Sequence, residues 1–182
     1  MLENFVENTK ELLLNPVETL QKLRDEKVED AFVYLIALVV ILSVLSSVIA
    51  ALMGGFALGI VALVFGLVGS IIGGIIGTVI GAVILHIFVY ILGGRNGIGQ
   101  TVKAVIYAFV PVAILGWIPL VGIIGIIWSF VIEILAVREL QDLSTIRAAI
   151  AVILPLVIMI VLAVILLMFF IIVAGTTYMP TM

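Results

Sequence analysis

The sequence has no cysteine, a single histidine and few charged residues. The absence of cysteine excludes disulfides and thiolate metal sites, and one histidine argues against a metal centre made only of protein ligands. The long apolar stretches show no strict alternation of apolar and polar residues, which excludes an outer-membrane barrel. No Ser, His and Asp combination and no pair of buried carboxylates points to hydrolytic chemistry. We therefore expect no enzymatic activity, no metal and no cofactor.

Hydrophobic residues are what the sequence has in abundance. They make up 65% of the 182 residues, against 10% charged residues, and the mean hydropathy is +1.52. This composition is typical of an integral membrane protein. Apolar stretches of helical length predict an all-α protein with five transmembrane helices, at about residues 31–53, 67–92, 100–115, 120–137 and 145–174. Pro111 should kink the third of these helices.

Residues 54–66 separate the first two predicted spans. The ten apolar residues 56–65 cover only about 15 Å as a helix, which is too short to cross a hydrocarbon core of about 30 Å. We expect a re-entrant or interfacial turn of helix here, with a membrane-buried extension of the second span as the alternative.

The first thirty residues are amphipathic. Apolar residues at helical spacing predict one short helix, and Asn15 followed by Pro16 predicts the start of a second. The polar face of the first helix is acidic, so we expect it to dock on the protein rather than on anionic lipid. Residues 1–30 are therefore predicted to form a cytoplasmic helical segment, and residues 176–182 an external tail.

Positive charge is distributed asymmetrically about the predicted spans. With five spans, all eight Lys and Arg residues fall on one side of the membrane. The positive-inside rule then predicts a multi-pass protein of the cell membrane with a cytoplasmic N-terminus and an external C-terminus. Four of these residues flank the spans and are predicted cytoplasmic anchors: Arg95, Lys103, Arg138 and Arg147.

The second span carries two rows of small residues, each with a four-residue step. One row is Gly69, Gly73, Gly77 and Gly81, and the row beside it is Ser70, Gly74, Thr78 and Ala82. Small residues at this spacing let membrane helices approach closely. We predict that the smooth face made by both rows is the seam against which the other spans pack, with homodimerisation through the same face as the alternative.

Four polar residues are predicted to lie in or beside one layer of the bundle: His86, Tyr90, Tyr107 and Glu133. An ionisable residue within a span is costly to keep there, which makes it a candidate functional residue. One interpretation is a proton or ion site made of His86 and Glu133. The other, which we favour, is structural: Glu133 or Tyr107 satisfies His86 and fixes the packing of the helices.

Several short motifs occur in an order that resembles a known family. They are Asn15-Pro16-Val17-Glu18-Thr19, Gly93-Gly94-Arg95, Gln100-Thr101, Tyr107, Pro111, Gly116-Trp117-Ile118-Pro119, Trp128, Arg138-Glu139-Leu140 and Leu143-Ser144-Thr145. Together they resemble the Yip family of five-span membrane proteins, in particular its compact prokaryotic branch. The resemblance implies a membrane fold without an agreed biochemical activity. Eukaryotic members, named for their association with Ypt/Rab GTPases, carry an Asp-Leu-Tyr-Gly-Pro element that is absent here, so Rab binding is not expected.

These observations favour a non-enzymatic interaction or membrane-organising module. Its expected partners are membrane lipids and an unidentified protein at the cytoplasmic face, with no nucleic acid, and a homo-oligomer stays open. The alternative is a small transporter or channel that uses His86 and Glu133.

Overall fold

The computed structural model describes the backbone of residues 4–178 and the side chains of residues 4–173, and every regular element in this part of the chain is helical. The helices are α1 (Phe5–Leu14), α2 (Pro16–Lys22), α3 (Val28–Gly54), α4 (Phe56–Ile91), α5 (Ile98–Ala108), α6 (Val110–Leu115), α7 (Val121–Gln141) and α8 (Thr145–Tyr178). Five stretches are long and apolar enough to cross a membrane: α3, α4, α5 with α6, α7, and α8. The predicted all-α membrane class is confirmed.

Residues 5–25 form an arm that packs on the long helices. The arm consists of α1, α2 and a short 3-10 turn, Leu23–Asp25, and α2 begins at Pro16 as predicted. Leu12 and Leu20 of the arm are fully buried in the main hydrophobic core, together with residues of α3, α5 and α7. The arm is therefore part of the folded bundle.

The prediction of a re-entrant or interfacial segment at residues 54–66 is wrong. Gly55, with φ +92°, makes the turn after α3, and α4 then runs unbroken for 36 residues from Phe56. In lipid an interrupted helix leaves backbone groups without partners, so the helix continues through Gly66 despite its low helix propensity. The alternative, an extension of the second span, describes the structure correctly.

Pro111 lies where the third span is interrupted. It has no N–H to donate to the preceding turn, and α5 ends at Ala108 while α6 begins at Val110. At the other end of the chain, α8 reaches Tyr178, so it covers the first residues of the predicted tail 176–182. Residues 179–182 lie outside the described part of the chain.

We predicted that the face made by both rows would be the packing seam, and for the glycine row Gly69, Gly73, Gly77 and Gly81 this is wrong. A Cβ atom added at any of these four glycines would meet nothing within 4 Å. The neighbouring row is the seam instead: Thr78 and Ala82 are buried, and the hydroxyls of Ser43 on α3 and Ser70 are 2.8 Å apart. The two rows differ by one residue, or about 100° of helix rotation, and α3 packs on the row that offers a hydroxyl partner.

The connections from the arm to α3, from α4 to α5 and from α7 to α8 meet at one end of the bundle, which we call the polar end. Hydrogen bonds join the three connections, for example from Gln100 Nε2 to the Arg24 carbonyl at 3.0 Å. The opposite end holds the turn at Gly55 and the turn of residues 116–120, and neither turn carries a charged residue. The polar side chains of interest therefore concentrate at one end.

Candidate functional site

Lys103 holds the arm against α5. Its side chain is only 2% exposed, and its ammonium donates hydrogen bonds to the carbonyls of Leu23, Arg24 and Glu26, the last at 3.0 Å. These carbonyls lie where the 3-10 turn ends, where backbone acceptors lack helical partners. Lys103, a predicted cytoplasmic anchor, therefore binds the protein's own arm.

An aromatic cluster fixes the other half of the arm. The Tyr34 and Thr9 hydroxyls are 2.7 Å apart, and the Tyr34 ring lies between those of Phe5 and Tyr107, with centroid distances of 4.9 and 6.1 Å. Such tilted and edge-on pairs add to the energy of burial. Tyr107, predicted to belong with His86, instead packs against Tyr34, the residue whose hydroxyl meets Thr9 of the arm.

His86 is satisfied by Thr101 of α5, not by Glu133 or Tyr107. The His86 Nδ1 atom is 2.8 Å from the Thr101 hydroxyl, which also accepts a hydrogen bond from Gln141 Nε2 at 3.0 Å. The same amide nitrogen donates to the Gly97 carbonyl at 2.8 Å. This chain links α4, α5 and α7 just inside the polar end.

A second set of bonds joins the α7–α8 connection to the arm. Both guanidinium nitrogens of Arg24 contact the Asp142 carboxylate, one of them at 2.8 Å, and Asn96 Nδ2 donates to the same carboxylate at 2.7 Å. The hydrogen bonds from Arg24 and then from Asn96 lower the pKa of Asp142 to about 2. The bond with Asp142 also raises the pKa of Arg24. Asp142 tolerates the left-handed backbone (φ +53°) that ends α7.

The other predicted anchors have different surroundings. Arg95 donates to the carbonyls of Tyr90 and Gly94 and places its guanidinium 3.9 Å from the centre of the Tyr90 ring, so it caps the end of α4. Arg138 pairs with the neighbouring Glu139 at 2.6 Å. Arg147 is exposed and makes no ion pair within the described residues.

The structure does not assemble the predicted polar cluster. His86 lies near the Tyr90 ring, at a centroid distance of 6.5 Å, and faces α5. Glu133 lines a crevice between α4, α7 and α8, and within residues 4–173 it forms no side-chain hydrogen bond and no ion pair. The sequence indicates how deep each residue lies along its helix but not how the helix is rotated about its axis. Residues predicted to share a layer can therefore face different neighbours.

The described residues also offer little for metal or covalent chemistry. In that part of the chain, no three His, Asp or Glu side chains converge on one point. The single histidine bonds to a threonine hydroxyl already shared with an amide. What the arrangement can do is hold a helical arm in place and present its outer face.

The family model described as the Yip1 domain matches residues 10–177, almost the whole chain. The chain belongs to the Yip1 domain family. No curated protein and no solved structure matches it.

In this Yip1 domain, several motifs that suggested the family connect the arm to the bundle. Trp128 Nε1 donates to the Leu13 carbonyl at 3.2 Å, and Gln100 donates to the Arg24 carbonyl. Thr101 joins α5 to α4 and α7.

Sequence reasoning missed four residues of this Yip1 domain's polar end: Arg24, Asn96, Gln141 and Asp142. Each lies beside a turn, where polar residues are ordinary, so composition gave no signal. Only the 2% exposure of Gln141 reveals that its amide is a buried junction.

Proposed function

We propose that this Yip1-domain protein is a non-enzymatic interaction or membrane-organising module, and that the arm is its docking platform on the cytoplasmic face. The observation that supports this most is the attachment of the arm, because the buried ammonium of Lys103 donates hydrogen bonds to the carbonyls of Leu23, Arg24 and Glu26 and, within the described residues, to no other group. A segment fixed in this way presents its outer face in one arrangement, which lowers the entropy lost on binding.

The outer face of the arm indicates the chemistry of the partner. The arm, residues 5–25, contains four acidic and three basic side chains, a net charge of −1. Glu7, Glu18 and Asp25 are exposed, while Lys22 is engaged by Glu11 at 3.1 Å. An acidic surface repels anionic lipid and attracts basic segments, so the partner we propose is a protein with a basic segment.

The orientation is part of the proposal. From the positive-inside rule we propose that the polar end of the bundle lies on the cytoplasmic side of the cell membrane. Since the chain has no cysteine, single cysteines can report on it without background. An impermeant maleimide added outside intact cells should label a cysteine at Leu120, which is 84% exposed, and not one at Lys27. The reverse pattern would contradict the orientation.

Photo-crosslinking in native membranes tests the platform. Benzoylphenylalanine at Glu18 should give discrete protein adducts that weaken with salt and with Glu7→Lys, because the attraction is electrostatic. The same probe at Leu162 of α8, an exposed and apolar position, is the matched control and should give none of them. Equal adducts at both positions would refute the platform. A proton flux into liposomes that Glu133→Gln abolishes would support the transporter alternative instead.

A further inference from the structure

Glu133 lines a crevice that opens sideways between three helices. The crevice measures about 270 Å³, and its other lining residues are apolar or glycine: Gly81, Ile84, Leu85, Phe130, Val152, Pro155, Leu156 and Met159. Leu156 and Met159 are 47% and 55% exposed, so this side faces the lipid. Among the described residues that line the crevice, Glu133 is therefore the only ionisable one.

No side chain among the described residues forms an ion pair or a hydrogen bond with the Glu133 carboxylate. A carboxylate removed from water is stable only when it is paired or hydrogen-bonded. The basic residues of the neighbouring α7 and α8 termini are engaged or turned elsewhere: Arg138 pairs with Glu139, and the Arg147 guanidinium lies beside Gly93, beyond the end of α4. Glu133 can therefore be neutralised by a proton or by a cationic group from outside the described residues, and only the cationic group would use the space that the crevice offers.

The arm indicates the level of Glu133 in the bilayer. Leu13 and Gln21 of the arm bond to Trp128 and Glu139, so the arm runs along the stretch of α7 that contains Glu133. The arm also carries exposed charges such as Glu18, which belong in water or among headgroups. Glu133 therefore lies level with the charged arm, and the crevice beside it is within reach of a lipid headgroup.

We propose that the crevice binds the headgroup of an amine-bearing phospholipid, with its primary ammonium on the Glu133 carboxylate. A primary ammonium brings a compensating charge and three hydrogen-bond donors, while its carbon chain suits apolar walls. A metal ion would need several oxygen ligands, and the crevice offers one carboxylate.

Native mass spectrometry of the full chain tests the site. The protein is reconstituted with equal amounts of phosphatidylethanolamine, phosphatidylcholine and phosphatidylglycerol, and the retained lipids are counted. Wild type should retain phosphatidylethanolamine over both others, because the quaternary ammonium of phosphatidylcholine has no N–H to donate. Glu133→Gln should reduce this preference to parity. Glu29→Gln, which removes an exposed carboxylate outside the crevice, should leave it unchanged.

A second variant fills the crevice without changing its charge. A Cβ at Gly81 would meet nothing within 4 Å, so Gly81→Leu can place its side chain in the crevice and should also abolish the preference. Equal retention of all three lipids by wild type, or an unchanged preference in Glu133→Gln, would refute the proposal. Preferred retention of phosphatidylglycerol would indicate recognition of phosphate by basic residues instead. A change of oligomeric mass in Gly81→Leu would assign the crevice to a second copy of the chain.

Discussion

Replacing Lys103 by methionine should release the arm from the bundle. Methionine keeps a flexible stem of similar length and removes only the ammonium. Of the three carbonyls that Lys103 serves, Leu23 and Arg24 have second donors, since the Glu26 amide bonds to Leu23 and the Gln100 amide bonds to Arg24. The carbonyl of Glu26 has no other hydrogen bond within the described residues.

The size of the effect follows from these bonds. A hydrogen bond to a charged group contributes about 1.5–3 kcal/mol, and a buried acceptor left without a partner costs about 1–3 kcal/mol. One orphaned carbonyl and two weakened ones give a loss of about 2–4 kcal/mol in the free energy that holds the arm in place. At about 1.4 kcal/mol per factor of ten, opening of the arm should increase on the order of 100-fold.

Hydrogen exchange measured by mass spectrometry reports this opening directly. The amides of α1 and α2 should exchange on the order of 100-fold faster in Lys103→Met, since the exchange rate follows the opening equilibrium. The amides of α7 should be unaffected. Lys27→Met, an exposed lysine beside the arm, is the matched control and should behave like wild type. Unchanged protection of the arm in Lys103→Met would refute the role given to the buried ammonium.

Three further predictions concern the packing of α4 on α3, the hydrogen bond between Thr101 and His86, and the loss of stability at acidic pH. Gly59→Ala should destabilise the protein by about 1–3 kcal/mol because the added Cβ would lie 2.4 Å from the Cβ of Ala51 on α3, whereas Gly73→Ala, whose Cβ would meet nothing within 4 Å, should not lower the midpoint of thermal unfolding. Thr101→Val should lower the free energy of unfolding by about 1–3 kcal/mol because it removes the hydrogen-bond partner of His86. Thr101→Ser keeps the hydroxyl and should have the wild-type midpoint of thermal unfolding. The folded-state pKa of Asp142 lies below its ordinary value, so its contribution is present above about pH 4 and is lost as the pH falls toward 2. Because Asp142 is largely exposed, that contribution is below about 1 kcal/mol, and Asp142→Asn should remove it at neutral pH and flatten the profile of unfolding free energy between pH 4 and 2.

The long helices were predictable because apolar length alone requires them. A stretch of about twenty apolar residues has no other way to pair its backbone in lipid, so the order of the spans and the start of α2 at Pro16 follow from the sequence. The same rule was applied too narrowly at residues 54–66, where a length too short to cross suggested a separate element. A helix may be longer than the bilayer core, and α4 is.

The faces of the helices were not predictable, because two small-residue rows on α4 are equivalent by composition. Ser70 decides between them through its bond to Ser43 on α3, a contact that depends on the relative rotation of both helices. The same applies to His86 and Glu133, which were predicted to share a layer and which have no common hydrogen-bond partner among the described residues. Which side chains meet in a membrane bundle follows from rotation, and hydropathy carries no information about it.

One continuous set of polar contacts joins the arm to the spans, so a partner that displaces the arm also affects the bundle. Arg24 donates hydrogen bonds to the Asp142 carboxylate, which also accepts one from the side-chain amide of Asn96. The backbone N–H of Asn96 donates to Gln141 Oε1 at 3.1 Å. Gln141 in turn bonds to Thr101, the residue that holds His86 of α4. A partner that pulls Arg24 away from the bundle takes the guanidinium donor from Asp142 and weakens the positioning of the other members of this chain. It can do so only if it binds the displaced arm more tightly than the docked one, by at least the free energy that Lys103 contributes to docking.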